Sequence, residues 1–197
     1  MNNEKASQQS SPVAEPREQL KTLLSYVEER AEDVLRQYGR LHPALYAVSP
    51  EGLCLHVARS LEDSEKDAFA NDVRLICRAH GATVAALVTE AWVVFAKPGD
   101  DLGLQPRPAQ SPQRREYVSL IGEALGGAFG NRLLPIRRDR HGRFSGLGRS
   151  QTLPLRPVVG RFSNLLQQTT PTEADRALAR VMLQGRGIVI DKESPKG

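Results

Sequence analysis

The apolar and polar positions of the chain alternate with two periods, one helical and one extended. From Pro16, the residues Leu20, Leu23, Leu24, Val27, Ala31, Val34, Leu35 and Tyr38 recur at helical spacing with charged residues between them. That spacing predicts an amphipathic helix with one apolar stripe, stopped at Gly39. Ala44–Val48 and Leu53–Arg59 are apolar runs around Ser49-Pro50-Glu51-Gly52. Proline second and glycine fourth suit a type I turn, so these runs predict a β-hairpin. A second helix is expected over roughly 62–80, capped by Ser60 or Asp63 and closed by Gly81. Its inner face would carry Ala68, Phe69, Val73, Ile76 and Cys77.

Thr83–Lys97 is rich in β-branched and aromatic residues and stops at Pro98, which predicts a strand. Residues 98–114 hold four prolines and two glycines and read as a long loop. Two more strands follow, Glu116–Ala124 and Phe129–Ile136, joined at Gly126-Gly127. Pro135 places the second of them at a sheet edge. Asp139-Arg140-His141-Gly142 has the composition of another hairpin turn. Beyond Gly148 the pattern weakens: Leu153–Val159 carries two prolines, and Phe162–Gln168 suits a turn or two of helix. Thr172 then caps a clearer helix with Ala174, Ala177, Leu178, Val181 and Met182 on one face. Ile188–Ile190 reads as a last strand.

The element order is α-β-β-α-β-β-β followed by a C-terminal helix. It predicts an α+β fold with one mainly antiparallel sheet of about five strands and helices packed on it. The expected division is a disordered tail over 1–16, a core domain over 17–150, a C-terminal extension over 151–190 and a short tail over 191–197. Roadblock-like and profilin-like domains have a similar element order, and many of them are interaction modules.

Composition narrows the function classes. Aromatic residues make up 5% of the 197-residue chain, so the core must be aliphatic. Residues 1–16 lack the basic and apolar regions of a secretory signal, and no apolar run reaches the ~18 residues of a membrane helix. Cys54 and Cys77 are too far apart for a zinc knuckle or redox pair and read as reduced thiols. A cytoplasmic protein with no membrane partner and no cofactor is expected. The net charge of +4 hides an asymmetry: residues 1–105 carry −5 and residues 106–197 carry +9. Such polarity suits an acidic partner or nucleic acid, or self-complementarity within the fold.

Glu90 is the most conspicuous candidate for chemistry. Along the predicted strand it shares a face with Val84, Ala86, Val88 and Trp92, while Leu87, Ala91, Val93 and Phe95 line the other. A carboxylate among apolar residues must be paired, protonated or placed where the strand changes course. As a general acid or base it would need a shifted pKa. A fifteen-residue strand would span ~50 Å, against ~17–20 Å for an ordinary one. The strand is therefore expected to bulge or break at Thr89-Glu90-Ala91, or to leave the core there. Ser119 and Ile121 are the residues of the next strand expected nearer Glu90. Arg114 and Arg115 are expected at the far end, as a solvated rim or paired with Asp100 or Asp101.

The second candidate is a cluster of cations: Arg132, Arg137, Arg138, Arg140, Arg143 and Arg149, with Asp139 the one acid among them. Guanidinium forks suit phosphate, which makes this stretch a candidate contact for nucleic acid or an acidic partner. Phe144 is its one interleaved aromatic, so no aromatic ladder of a single-strand binder is present. No P-loop or dinucleotide fingerprint stands in context. The four histidines have no metal-binding spacing, although His56 shares a strand face with Cys54 and His80 lies one helical turn from Cys77. No metal site is expected.

Val88-Thr89-Glu90-Ala91-Trp92-Val93, then Ser111-Pro112-Gln113-Arg114-Arg115-Glu116 after a proline-rich loop, then a strand ending Gly122-Glu123, resembles a group of uncharacterised bacterial and phage-borne proteins. Their shared feature is a strand ending Ser-Glu-Ala-Trp or similar and a Pro-x-Arg-Arg-Glu entry to the next strand. The resemblance covers roughly residues 65–145, has Thr89 in place of the usual serine, and implies no activity. The leading expectation is a non-enzymatic binding or adaptor protein with a protein partner or a second copy of itself. The alternatives are a nucleic-acid binder working through the arginines and an enzyme using Glu90 as acid or base.

Overall fold

The computed structural model describes residues 16–57, 62, 64–95, 99, 107–152, 162–166, 169–188 and 191–193. Helix α1 (Pro16–Tyr38) is followed by β1 (Ala44–Ser49), β2 (Gly52–Val57), α2 (Lys66–His80) and β3 (Val84–Val93). A short 3-10 turn (Pro108–Gln110) leads to β4 (Arg115–Ala124), β5 (Ala128–Arg138), β6 (Phe144–Leu147), α3 (Glu173–Gly185) and β7 (Asp191–Glu193). All seven strands form one sheet in the order β6-β5-β4-β3-β1-β2-β7, and every pairing is antiparallel. The α+β class and the antiparallel sheet are as the sequence predicts. The two strands beyond the expected five, β6 and β7, sit at opposite edges. They are four and three residues long, too short for a clear period-2 signal.

Each face of the sheet buries its own aliphatic core. Leu20, Leu23, Leu24, Val27, Ala31 and Leu35 of α1 pack on Val84, Ala86, Val88, Val118, Leu120 and Leu134. On the other face, Phe69, Val73, Ile76 and Cys77 of α2 meet Leu45, Ala47, Ala85 and Leu87, with Leu165 and Ala179 and Leu183 of α3 completing the layer. The inner faces of α1 and α2 thus follow the helical period, except that Tyr38 and Ala68 are exposed. Ser60 and Asp63, the expected α2 caps, lie outside the described residues, as do Leu153–Val159 and residues 189–190; α2 begins after Glu65 with no side-chain cap. Residues 162–166 form a turn and a bend rather than a helix, with Asn164 at φ 57°; residues 167–168 lie outside the described residues.

Two glycines let α1 lie close to the sheet. Gly122 of β4 and Gly130 of β5 are directly opposite one another. A Cβ on Gly122 would come within 2.7 Å of Leu20 Cδ1, and one on Gly130 within 2.7 Å of Leu24 Cδ1. The leucines fill the space that two strand side chains would take.

Three expectations change. Pro135 is not on an edge strand, because β5 lies between β4 and β6. Its carbonyl accepts from Gly148 N–H at 2.7 Å, and, with no N–H to return, it stands in the gap between β6 and the Leu133–Gln151 bridge. The strand holding Glu90 does not bulge: all ten residues of β3 pair with β4 in one register, Val84 with Ala124 through Val93 with Arg115. Finally, α3 keeps its capping box between Thr172 and Asp175 but buries Ala179 and Leu183. The face expected to point inward, with Leu178, Val181 and Met182, points to solvent instead.

Gly122→Val and Gly130→Val test the close approach of α1. Valine has the higher strand propensity, yet each variant is expected to lose about 1–3 kcal/mol because the added side chain must displace Leu20 or Leu24. Urea unfolding midpoints at or above wild type would contradict this packing.

Candidate functional site

The local environment of Glu90 follows from where the β1 ladder ends. β1 pairs with β3 only from Val84 to Val88, with Ala44 opposite Val88. Pro43 comes next; it has no N–H to donate, and the chain turns away toward α1. β3 continues for five more residues, Thr89–Val93, with β4 on one side and no strand on the other among the described residues. Burial falls off at the same place: Val84–Val88 are buried, and Thr89–Val93 are half-buried or exposed. Glu90 therefore marks the point at which the strand leaves the core, one of the two placements its sequence context allows.

The carboxylate has a structural partner. Leu41 N–H, in the α1–β1 connection, donates to Glu90 Oε1 at 2.6 Å. Glu116 on β4 and Arg138 on β5 share this face of the sheet. Arg138 grips Glu116 with both arms of its fork, Nε to Oε2 at 2.6 Å and Nη2 to Oε1 at 2.8 Å, and its Nη1 donates to the Gly39 carbonyl at 3.2 Å. Glu90 and Arg138 thus fasten the two ends of the short link between Gly39 and Leu41 to the sheet. Burial pushes the Glu90 carboxyl above its ordinary range; the Leu41 N–H opposes that, Glu116 adds to it, and Arg138 and His42 oppose it.

On the other side of the same open edge is a groove of about 920 Å³. Leu87, Thr89 and Ala91 of β3 and Ser119 and Ile121 of β4 line it, with Phe162 beside them. One wall is the 3-10 turn with Arg107, another includes Lys66 at the start of α2, and Leu41, Pro43, Glu90 and Trp92 complete the open-edge side. Ser119 and Ile121 do lie by this site, but they pair with Thr89 and Leu87, and the residue directly across from Glu90 is Val118. Trp92 is 45% and Phe95 47% exposed, large apolar surfaces at the end of the strand. The Arg114 guanidinium lies 4.7 Å from the Trp92 ring centre and also donates to the Ala109 carbonyl. Arg115 sits opposite Val93, at the far end of the strand as expected; Asp100 and Asp101 lie outside the described residues.

The arginine cluster is split by the structure. Arg132 pairs with Glu28 of α1 at 2.7 Å and Arg138 with Glu116, so both hold the fold together. Arg137, Arg140, Arg143 and Arg149 are exposed around the β5–β6 hairpin, and none is ion-paired among the described residues. Arg140 Nε donates to His141 Nε2 at 3.0 Å. Asp139 closes the turn by accepting from the N–H groups of His141 and Arg143 at 2.8 and 2.9 Å.

The remaining candidates have structural surroundings. His56 stacks on Phe69 with ring centres 5.9 Å apart, and burial lowers its pKa against the raising effect of Asp72. Cys77 is buried in the α2 core, and His80 faces Glu51 at 4.0 Å. Among the described residues, no group of three His, Cys, Asp or Glu side chains could hold a metal ion. No helix of the described residues is long and apolar enough to cross a membrane. No family model, curated protein or solved structure matches the chain. Sequence reasoning missed Lys66, Arg107 and Phe162 as groove residues, since they come from three separate segments. Pro43 was the available signal that the ladder beside Glu90 stops.

A raised carboxyl pKa has a definite sign. Folded molecules hold the Glu90 proton to higher pH than unfolded ones, so stability falls as pH rises through the interval between the two values. Glu90→Gln keeps an acceptor for Leu41 N–H and removes the charge. Its unfolding midpoint is expected to equal or exceed that of wild type near about pH 8, with the difference shrinking toward about pH 4. Glu90→Ala leaves the N–H unpaired and is expected to lose about 1 kcal/mol. A wild type that gains on the glutamine variant as pH rises would reverse the assignment.

Proposed function

We propose that the protein is a non-enzymatic, cytosolic binding module that receives an extended segment of a partner protein along the open edge of β3. One observation carries this reading: Thr89–Val93 is a strand edge without a neighbour among the described residues, and it borders a groove with a largely apolar lining. An extended segment laid there would satisfy the free side of the ladder and place alternate side chains over Leu87, Ala91 and Ile121. The lining states the chemistry of the segment: Leu87, Ala91, Ile121 and Phe162 face it, so the segment that fits carries apolar residues at alternate positions. Trp92, an exposed aromatic on the rim, is the natural anchor.

Peptide display against the intact protein tests this. Selected sequences should be alternately apolar, and Trp92→Ala should weaken their binding by about tenfold or more, the size of an interface hot spot. No enrichment over an unrelated protein, or selected peptides indifferent to Trp92→Ala, would remove the proposal.

A second reading rests on the hairpin. Four exposed arginines surround a turn whose one acid is occupied by backbone N–H groups, so their charge is not neutralised locally. We propose phosphate-backbone binding as the chemistry of that tip. Anisotropy with short DNA and RNA duplexes should then show binding that falls steeply with salt and is lost in the Arg137→Ala, Arg140→Ala, Arg143→Ala triple variant. Arg132 and Arg138 are left out because their loss would disturb α1. No binding at low salt eliminates this reading.

A further inference from the structure

Two uncommitted hydroxyls cross the floor of the groove at β3. On the face that lines it, Leu87 stands opposite Ile121, and one rung further along Thr89 stands opposite Ser119. Directly paired side chains have Cβ atoms about 5 Å apart, close enough for one small group to reach both. Thr89 and Ser119 are half-buried, and their surroundings are apolar. Leu87 is buried, as is Leu133, the β5 partner of Ser119, and Ala91 and Phe162 lie nearby in the lining. The charged groups of the groove are engaged: Lys66 and Arg107 have partners of their own, and Glu90 accepts from Leu41 N–H. Thr89 Oγ1 and Ser119 Oγ have no hydrogen-bond partner among the described residues, and neither has the side-chain amide of Gln110 on the 3-10 wall.

We propose that the groove selects a segment with a side-chain primary amide, asparagine or glutamine, over the Thr89–Ser119 rung and an apolar residue two positions to either side. The inference rests on the groove as the docking site of an extended segment, and it names the side chain that decides which segment docks. While the groove is open, solvent reaches both hydroxyls. A docked segment excludes that solvent, and a hydroxyl covered without a partner then weakens binding. The segment must therefore bring hydrogen-bonding atoms to this rung. Each hydroxyl can donate or accept, and a primary amide presents an acceptor and two donors in one plane, so it can bond both at once. A carboxylate fits worse. It can only accept, and it would lose solvent close to Glu90, a second carboxylate at the same strand end. The neighbouring rungs, Leu87–Ile121 on one side and Ala91 on the other, take the apolar residues, because alternate residues of an extended chain share a face.

Two peptide display libraries panned on the full chain test the proposal, one built on Leu-x-Asn-x-Leu and the other on Leu-x-Leu-x-Leu, with x randomised. The asparagine library should enrich. Exchanging its asparagine for the near-isosteric leucine in a selected peptide should weaken binding to wild type about tenfold, because both hydroxyls are then left unpaired. Thr89→Val combined with Ser119→Ala removes the hydroxyls. Valine is the better strand former, so this variant should keep the wild-type circular dichroism and melting curve. It should bind the leucine peptide at least as well as the asparagine one. If the variant does not fold, the peptide exchange against wild type decides alone. Peptides that bind through Trp92 yet prefer leucine, or an amide preference that persists in the double variant, would overturn the inference and leave the groove as a docking site. Enrichment from neither library would overturn both.

Discussion

Ten consecutive residue pairs join β3 to β4, and most of the molecule is arranged around that ladder. It gives the sheet two faces of equal length, one for α1 and one for α2. It carries Val84–Val88, buried on both faces, and the buried Val118 and Leu120 through the middle of the structure. It also extends past the point where β1 stops. A strand paired on both sides and covered on both faces needs apolar residues everywhere; one paired on a single side can carry polar ones. The change from one regime to the other falls between Val88 and Glu90.

Two short-range devices make that change tolerable. Pro43 ends the β1 ladder without leaving an unsatisfied donor of its own. Glu90 and the Arg138–Glu116 pair then tie the departing chain back to the sheet through Leu41 N–H and the Gly39 carbonyl. The result is a polar clamp on the α1 face and an apolar groove on the α2 face of the same strand end. The clamp is structural: each of its groups has a partner within the fold. The groove has a largely apolar lining and an exposed tryptophan on its rim.

The distribution of charge has the same double character. Arg132 and Arg138, in the basic half of the chain, pair with Glu28 and Glu116. Arg132–Glu28 joins the two halves across the α1–β5 interface, as the opposed net charges of the halves allow. The arginines of the hairpin tip have no such partner among the described residues and set its outward potential. Chain position did not separate these two groups, because Arg137 and Arg138 are neighbours that face opposite sides of β5. Strand alternation assigns one of them to each face, and tertiary packing on one face supplies Glu116 and Gly39.

From the sequence alone came the helical stripes of α1 and α2, the β1–β2 turn, the Asp139–Gly142 turn, the Thr172 cap and the α+β class. All of these depend on contacts within a few residues, where period and turn chemistry are decisive. It also placed Glu90 on the Val84–Val88 face and at a point of change. What it could not supply was the neighbour across the sheet. Strand length predicted a bulge at Glu90, but the unbroken partner β4 keeps the strand straight, and the change occurs on the β1 side instead. Pro135 suggested an edge, but β6 continues the sheet beyond β5, and the proline stands where that ladder is interrupted. The apolar face of α3 suggested burial, but only Ala179 and Leu183 meet α2. Periodicity reports that a helix has an apolar face; which of two such faces the core takes is decided by the shape of the surface it packs on, and only the tertiary structure contains that surface.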